Sequence, residues 1–76
     1  MYIEINTGRP AVAVQFDGSH EQRVRYRIKD TPIQARMMGA PAYFRDDKPV
    51  SIGDWIIGGT LIISNTEFRK LYAAVK

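Results

Sequence analysis

The chain has 76 residues, the size of one small domain, and we treat residues 1–76 as a single domain. It has no cysteine and one histidine, so disulfides and thiolate metal sites are excluded, and we expect no metal ion and no cofactor. Eleven basic residues against eight acidic ones give a net charge of +3. A core this small gives modest stability, which favours self-association as a homodimer.

Hydrophobic residues make up 45% of the chain, which is enough for a core. No apolar run approaches the ~20 residues that a membrane-spanning helix needs. The opening residues MYIEI lack the basic start and the apolar body of a signal peptide. These features predict a cytosolic protein that makes no contact with a membrane.

Two alternating segments open the chain. In residues 1–6 and in residues 11–16, apolar side chains alternate with polar or small ones, as the period of two in a β-strand requires. Gly8 and Pro10 mark a turn between the two segments, and Asp17-Gly18 marks a turn after the second. We therefore predict two strands joined by a tight turn.

The most regular alternation lies in residues 23–29. Three apolar side chains alternate there with four basic ones: Arg23, Arg25, Arg27 and Lys29. A strand lines such charges up on one face at intervals of about 6.6 Å, whereas a helix scatters them around its circumference. The segment therefore predicts a strand with one apolar face and one basic face.

Two further short strands are predicted, at residues 33–37 from a looser alternation and at residues 42–45 from high β-propensity. Tyr43 and Phe44 are neighbours on the second of these strands. Since neighbouring side chains on a strand point to opposite faces, we expect one of the two rings to be exposed. We take Tyr43 as the ring available for binding.

The chain is organised around residues 50–59, its most apolar run, which contains the only tryptophan, Trp55. Residues 54–57 show little alternation, which predicts a strand covered on both faces. Gly58-Gly59 predicts a hairpin turn, after which the chain returns as the partner strand. We expect the Asp54 carboxylate to accept backbone N–H groups in the preceding turn, which is a role in the fold.

The last segment predicts a helix over about residues 65–75. Ser64 and Glu67 have the spacing of a capping box, and four apolar residues recur at helical intervals: Phe68, Leu71, Tyr72 and Val75. Together, the elements predict an α+β fold. It consists of a small curved antiparallel β-sheet or open barrel of about five to seven short strands, closed on one face by one C-terminal helix.

Several segments together resemble a group of small, mostly uncharacterised proteins of tailed bacteriophages and prophages. The matching segments are Ala13-Val14-Gln15-Phe16, then Gly53-Asp54-Trp55-Ile56-Ile57 with Gly59, then Phe68 with Tyr72 ahead of Val75. Ile52 stands where that group usually has proline. The group often has a helix after its first strand, where the alternation here predicts a strand. The resemblance implies a phage-encoded accessory protein, and it implies no activity for individual residues.

The predicted binding residues are the basic row and one aromatic ring: Arg23, Arg25, Arg27, Lys29 and Tyr43. An arginine side chain pairs with a carboxylate or a phosphate through two hydrogen bonds, so a row of arginines fits an acidic surface. The alternative interpretation is a solvated strand face whose charges discourage edge-to-edge aggregation.

We find no acid, base and nucleophile that converge, so we expect no catalytic residues and no enzyme activity. Our first hypothesis is a phage-encoded, non-enzymatic accessory protein in the host cytoplasm, which binds and inhibits a host or defence-system protein with an acidic surface. The alternative is a nucleic-acid or nucleotide-signal binding protein, in which the basic strand contacts phosphates and a tyrosine stacks on a base.

Overall fold

The computed structural model describes residues 1–75. Within them the chain forms nine short strands and three short helices. In chain order these are β1 (Tyr2–Glu4), β2 (Pro10–Ala11), β3 (Ala13–Gln15), α1 (His20–Tyr26), β4 (Lys29–Asp30), α2 (Ile33–Met37), β5 (Tyr43–Arg45), β6 (Lys48–Val50), β7 (Trp55–Ile57), β8 (Leu61–Ile63), α3 (Asn65–Leu71) and β9 (Tyr72–Ala74). The fold is α+β, which confirms the predicted class.

The strands form three antiparallel sheets, with the orders β2-β1-β9, β3-β7-β8 and β4-β5-β6. Each sheet has free edges, so these sheets are open and do not close into a barrel within residues 1–75. The sequence predicts one sheet or open barrel with fewer strands and a single helix, so three sheets and three helices are differences in detail. The sheets follow one another along a molecule that measures 44 × 22 × 19 Å.

Val12 is the point where the chain passes from the first sheet to the second. β2 pairs with β1, whereas β3 pairs with β7, so the strand predicted over residues 11–16 is divided between two sheets. Val12 is exposed at this junction instead of buried. Dividing the strand lets one continuous stretch of chain connect two separate sheets.

β7 is the central strand of the molecule, with an apolar cluster on each face. The core on one face contains four buried side chains: Phe16, Ile28, Val50 and Ile56. Trp55 points to the other face, because neighbouring side chains alternate along a strand. There it stacks on Phe68 of α3, with ring centroids 3.9 Å apart. The prediction of a strand covered on both faces is therefore confirmed.

The turns on either side of β7 also agree with the sequence. β7 and β8 form the predicted hairpin, and Gly58 and Gly59 have φ values of 60° and 77°, which favour glycine. Before β7, the Asp54 carboxylate accepts the backbone N–H of Ser51 at 2.9 Å. This confirms the expected role of Asp54 in the turn.

The C-terminal helix begins as predicted but is shorter. The Ser64 hydroxyl accepts the backbone N–H of Glu67 at 3.2 Å, as in a capping box. The helix ends at Leu71, and the next residues form β9, which pairs with β1. A strand edge presents unpaired backbone groups, and pairing with β9 satisfies those of β1. This long-range pairing overrides the helical spacing of residues 68–75.

The strand predicted over residues 23–29 is wrong. Most of that segment belongs to helix α1, and only Lys29 lies in a strand, β4. The N-cap of α1 is Ser19, whose hydroxyl accepts the backbone N–H of Gln22 at 3.3 Å. The Asp17 carboxylate accepts the backbone N–H of Ser19 at 2.8 Å, and this bond lowers the pKa of Asp17 below its ordinary value of 3.8. The serine and glutamine three residues apart form a second capping box pattern, and this local signal prevails over the alternation.

The strand predicted over residues 33–37 is also wrong, because these residues form helix α2. The buried Thr31 holds this helix in place. Its backbone N–H donates to the Ala42 carbonyl at 2.9 Å, and its own carbonyl accepts Nε of Arg36, also at 2.9 Å. The alternating apolar residues of this segment, Ile33 and Met37, are both exposed.

The Ser19 cap can be tested directly. We expect Ser19→Ala to lower the free energy of unfolding by about 1 kcal/mol, because the first turn of α1 loses its acceptor. Ser19→Asp keeps an acceptor and should change stability by less than about 0.5 kcal/mol. Chemical denaturation followed by circular dichroism measures both variants. An alanine variant as stable as the unmodified chain would contradict a helix at residues 20–26.

The Trp55–Phe68 stack gives a second prediction. We expect Phe68→Ala to cost about 3–5 kcal/mol, a large part of the total stability of so small a domain. The matched control is Leu71→Ala in the same helix, where the side chain is 41% exposed and the cost should be about 1 kcal/mol or less. Urea denaturation followed by Trp55 fluorescence measures both, and similar costs for the two variants would rule out a central role for the stack.

Candidate functional site

Three of the predicted binding residues are exposed and lie close together in the sequence. Arg25 lies on α1, Arg27 directly follows that helix, and Lys29 lies in β4, and all three side chains are exposed. Among the described residues the one ion pair joins Arg23 to Asp30, so these three charges have no acidic partner there. We call Arg25, Arg27 and Lys29 the basic face.

The backbone at Arg27 shows how α1 ends and turns towards β4. Arg27 has φ 58° and ψ 39°, in the left-handed region, and its N–H donates to the Arg23 carbonyl. The N–H of Ile28 donates to the same carbonyl at 2.9 Å, and the Ile28 side chain is buried in the core. Burial of Ile28 therefore anchors the turn, and the turn directs the Arg27 side chain to solvent.

The other two predicted residues, Arg23 and Tyr43, lie together but face inward. Nη1 of Arg23 donates to Asp30 at 2.5 Å, and its guanidinium lies 6.0 Å from the centre of the Tyr43 ring. Tyr43 packs edge-on against the buried Phe16, with centroids 5.2 Å apart. Neither Tyr43 nor Phe44 falls in the exposed class, so the prediction that one of these two rings is exposed is wrong. Arg23 and Tyr43 instead support the fold.

Positive charge is concentrated in one part of the chain. Residues 20–45 contain six basic and two acidic residues, a net charge of +4, whereas the whole chain carries +3. The remaining residues, with five basic and six acidic side chains, therefore carry −1. The basic residues of the concentrated part are Arg23, Arg25, Arg27, Lys29, Arg36 and Arg45.

Exposed aliphatic side chains occur in the same part of the chain. Four of them are between 65% and 89% exposed: Val24, Ile33, Met37 and Met38. Sequence reasoning missed this feature, because alternation assigns these residues to the apolar faces of strands. The feature in the sequence that could have predicted this exposed surface is the helix cap at Ser19. A helix that starts there and turns Tyr26 inward places Val24 and Arg25 on its outer side.

The aromatic residues have a different distribution. None of the eight aromatic side chains falls in the exposed class. Tyr2 packs edge-on against both Trp55 and Phe68, and Tyr72 stacks on Phe68. These contacts join strands β1 and β9 to the central sheet. Tyr26 and Tyr43 pack against the core. The part of the chain that carries the basic face therefore has exposed aliphatic side chains and no aromatic side chain in the exposed class.

A concave surface lies between the edge strands β6 and β8. It is a groove of about 540 Å³, with Lys48, Pro49 and Val50 on one wall and residues 60–64 on the other. Arg45 lies at one end and Glu67 of α3 also lines it. We call this surface the β6–β8 groove.

Two further properties concern the chain as described, residues 1–75. No cluster of three or more histidine or carboxylate side chains is placed to hold a metal ion there. No helix in this part of the chain has the length and apolar character needed to cross a membrane.

Comparison of the chain with models of known protein families, with curated proteins and with solved structures gives no match. The basic face, the exposed aliphatic side chains and the β6–β8 groove are therefore the structural features that bear on function.

The different roles of Arg23 and Arg25 can be measured. We expect Arg23→Ala to lower the free energy of unfolding by about 1 kcal/mol, because Asp30 loses its partner and Tyr43 loses a packing contact. Arg25→Ala, two residues along the same helix, should change stability by less than about 0.5 kcal/mol. Thermal or urea denaturation compares the two variants. Equal effects would mean that both arginines lie on one solvated face.

Proposed function

We propose that this chain is a non-enzymatic binding protein that recognises an acidic and partly apolar surface on another protein. The contact surface is the basic face together with its aliphatic neighbours on α1 and α2. More specifically, we propose that the chain is a phage-encoded accessory protein that binds and inhibits a host or defence-system protein in the host cytoplasm. The resemblance to small phage proteins supports this more specific proposal. The helix α1 also lies where that group often has a helix.

The observation that carries the proposal is that unpaired positive charge and exposed aliphatic surface occur together. Arg25 and Val24 are neighbours on α1, and α2 adds Ile33 and Met37. Unpaired charges speed encounter with a surface of opposite charge, and burial of aliphatic area then stabilises the complex by about 25 cal/mol per Å². Flexible methionine side chains adapt to an irregular partner surface.

The same observation favours a protein partner over a nucleic acid. Single-stranded nucleic acids are held by positive charge and by aromatic rings on which the bases stack. The chain has no aromatic side chain in the exposed class. Of the two tyrosines that could stack on a base, Tyr26 packs against the core and Tyr43 packs between Phe16 and Arg23. Aliphatic side chains next to the charges contribute little to binding a phosphate backbone, whereas they match the apolar centre of a protein interface.

The test is capture of a partner and measurement of its affinity. The chain serves as bait in a nuclease-treated bacterial lysate, and the captured protein is purified and titrated with the chain. We expect Arg25→Glu with Lys29→Glu to weaken binding by at least about ten-fold, because like charges then face each other. The control Arg69→Glu with Lys70→Glu makes the same change in net charge on α3 and should alter affinity by less than about two-fold.

Two results would contradict this proposal. Equal losses in the two double variants would show that overall charge, and not the basic face, determines binding. Binding of single-stranded oligonucleotides that is abolished by the Arg25/Lys29 variant, and that weakens steeply as salt is added, would instead support the nucleic-acid alternative.

A further inference from the structure

The outer edge of β8 has one open backbone position. On either side of β7, the Asp54 carbonyl and the Gly58 N–H bond to the chain on the β3 side at 2.8 Å. Bonding direction alternates along an antiparallel strand, so Trp55 and Ile57 bond to β8. The partners of Trp55 and Ile57 on β8 are Ile63 and Leu61, and Ile62 lies between these two. The N–H and C=O of Ile62 therefore point away from β7 and towards the β6–β8 groove.

The positions on either side of Ile62 already have partners. The Thr60 carbonyl accepts Nη1 of Arg45 at 3.3 Å, and the Ser64 carbonyl accepts the N–H of Phe68 at 2.9 Å. Across the groove, β6 has Pro49 on its free edge, and proline has no N–H to donate. β6 therefore does not close the groove by pairing with β8, and within residues 1–75 one donor and one acceptor remain open at Ile62.

The groove has opposite charges at its two ends. Arg45 reaches Thr60 at the start of β8, and Lys48 pairs directly with Arg45 across β5 and β6. This end therefore carries two positive charges and, with Asp46 nearby in the lining, a net charge of +1.

The far end of the groove is acidic. β8 ends before Ser64, which caps α3, and Glu67 lies in the first turn of that helix. Asp54, whose carboxylate bonds to Ser51 after β6, lines the same end. Along the direction of β8, the groove therefore runs from positive to negative.

We infer that the β6–β8 groove binds an extended segment of another protein, which adds to β8 as an antiparallel strand. An antiparallel pair can place one residue opposite Ile62 and exchange both open hydrogen bonds with it, which matches the single open position. The side chain of that residue lies on the same face as Ile62, next to Val50 of the core, so it is apolar. Because the segment runs opposite to β8, its amino end meets the acidic end and carries a basic residue. Its carboxyl end carries an acidic residue.

This inference goes beyond the proposed function, since it adds a second recognition surface built from other residues. Lys48 and Glu67 are exposed and line the groove, whereas Arg25 and Lys29 do not line it. The two surfaces can therefore be tested separately.

The experiment uses two capped heptapeptides, KVTVTVE and EVTVTVK, which share a symmetric centre and differ only in the order of their end charges. Each is titrated into the labelled chain and followed by NMR, with the Ile62 amide as reporter. We expect KVTVTVE to bind about five-fold more tightly and to shift and protect the Ile62 amide. The double variant Lys48→Glu with Glu67→Lys keeps the net charge and should invert the preference.

Two controls separate strand addition from charge attraction. KVTVTVE with an N-methylated central valine lacks the donor to the Ile62 carbonyl and should bind at least about ten-fold more weakly. Arg25→Glu with Lys29→Glu should leave peptide binding unchanged, so failure of the proposed function and failure of this inference are distinguishable.

Several results overturn the inference. Absence of binding by both peptides, equal affinities on the unmodified chain, or an unaltered Ile62 amide would each do so. All three are observed on the unmodified chain, so they hold even if the double variant does not fold. A dimer whose interface protects the Ile62 amide would also overturn it, by assigning the edge of β8 to a second copy of the chain.

Discussion

The fold depends on β7 being covered on both faces. Ile56 is 1% exposed and lies in the core with Phe16, Ile28 and Val50, while Trp55 faces the opposite side and stacks on Phe68. A sheet of three short strands needs an apolar face that packs against other elements to be stable. Here each face of the central sheet supports a different neighbour. The core face holds α1 and the sheet of β4, β5 and β6, and the Trp55 face holds α3, β1 and β9.

This arrangement explains which parts of the fold could be predicted from sequence. The hairpin at Gly58 and Gly59, the turn at Asp54 and the cap at Ser64 are set by neighbouring residues, and a local pattern identifies them. The ending of α3 at Leu71 depends instead on β1, which lies at the other end of the chain. No local pattern contains that pairing, so the helical spacing of residues 68–75 is misleading.

The prediction for residues 23–29 was wrong for a different reason. The alternation of residues 23–29 fits a strand, but the same residues also fit a helix whose inner side contains Arg23 and Tyr26. An arginine on the inner side is unexpected from composition. It is tolerated because its guanidinium pairs with Asp30 at 2.5 Å and because the Arg23 side chain remains 24% exposed. The cap at Ser19 decides between the two patterns, and it is visible in the sequence. The basic face was therefore predictable in part. Arg25, Arg27 and Lys29 are exposed as expected, although they do not form a strand.

The balance between buried and exposed apolar side chains links the fold to binding. Within residues 1–75, five hydrophobic side chains are buried, whereas eleven large ones are at least 41% exposed. With so small a core, the free energy of folding is limited, and a partner that covers exposed aliphatic surface adds its binding free energy to it. Three of the eleven, Val24, Ile33 and Met37, lie on the short helices α1 and α2, which are fixed by a few polar contacts around Ser19 and Thr31. Binding at the basic face should therefore also stabilise these two helices, so that recognition and stability depend on the same residues.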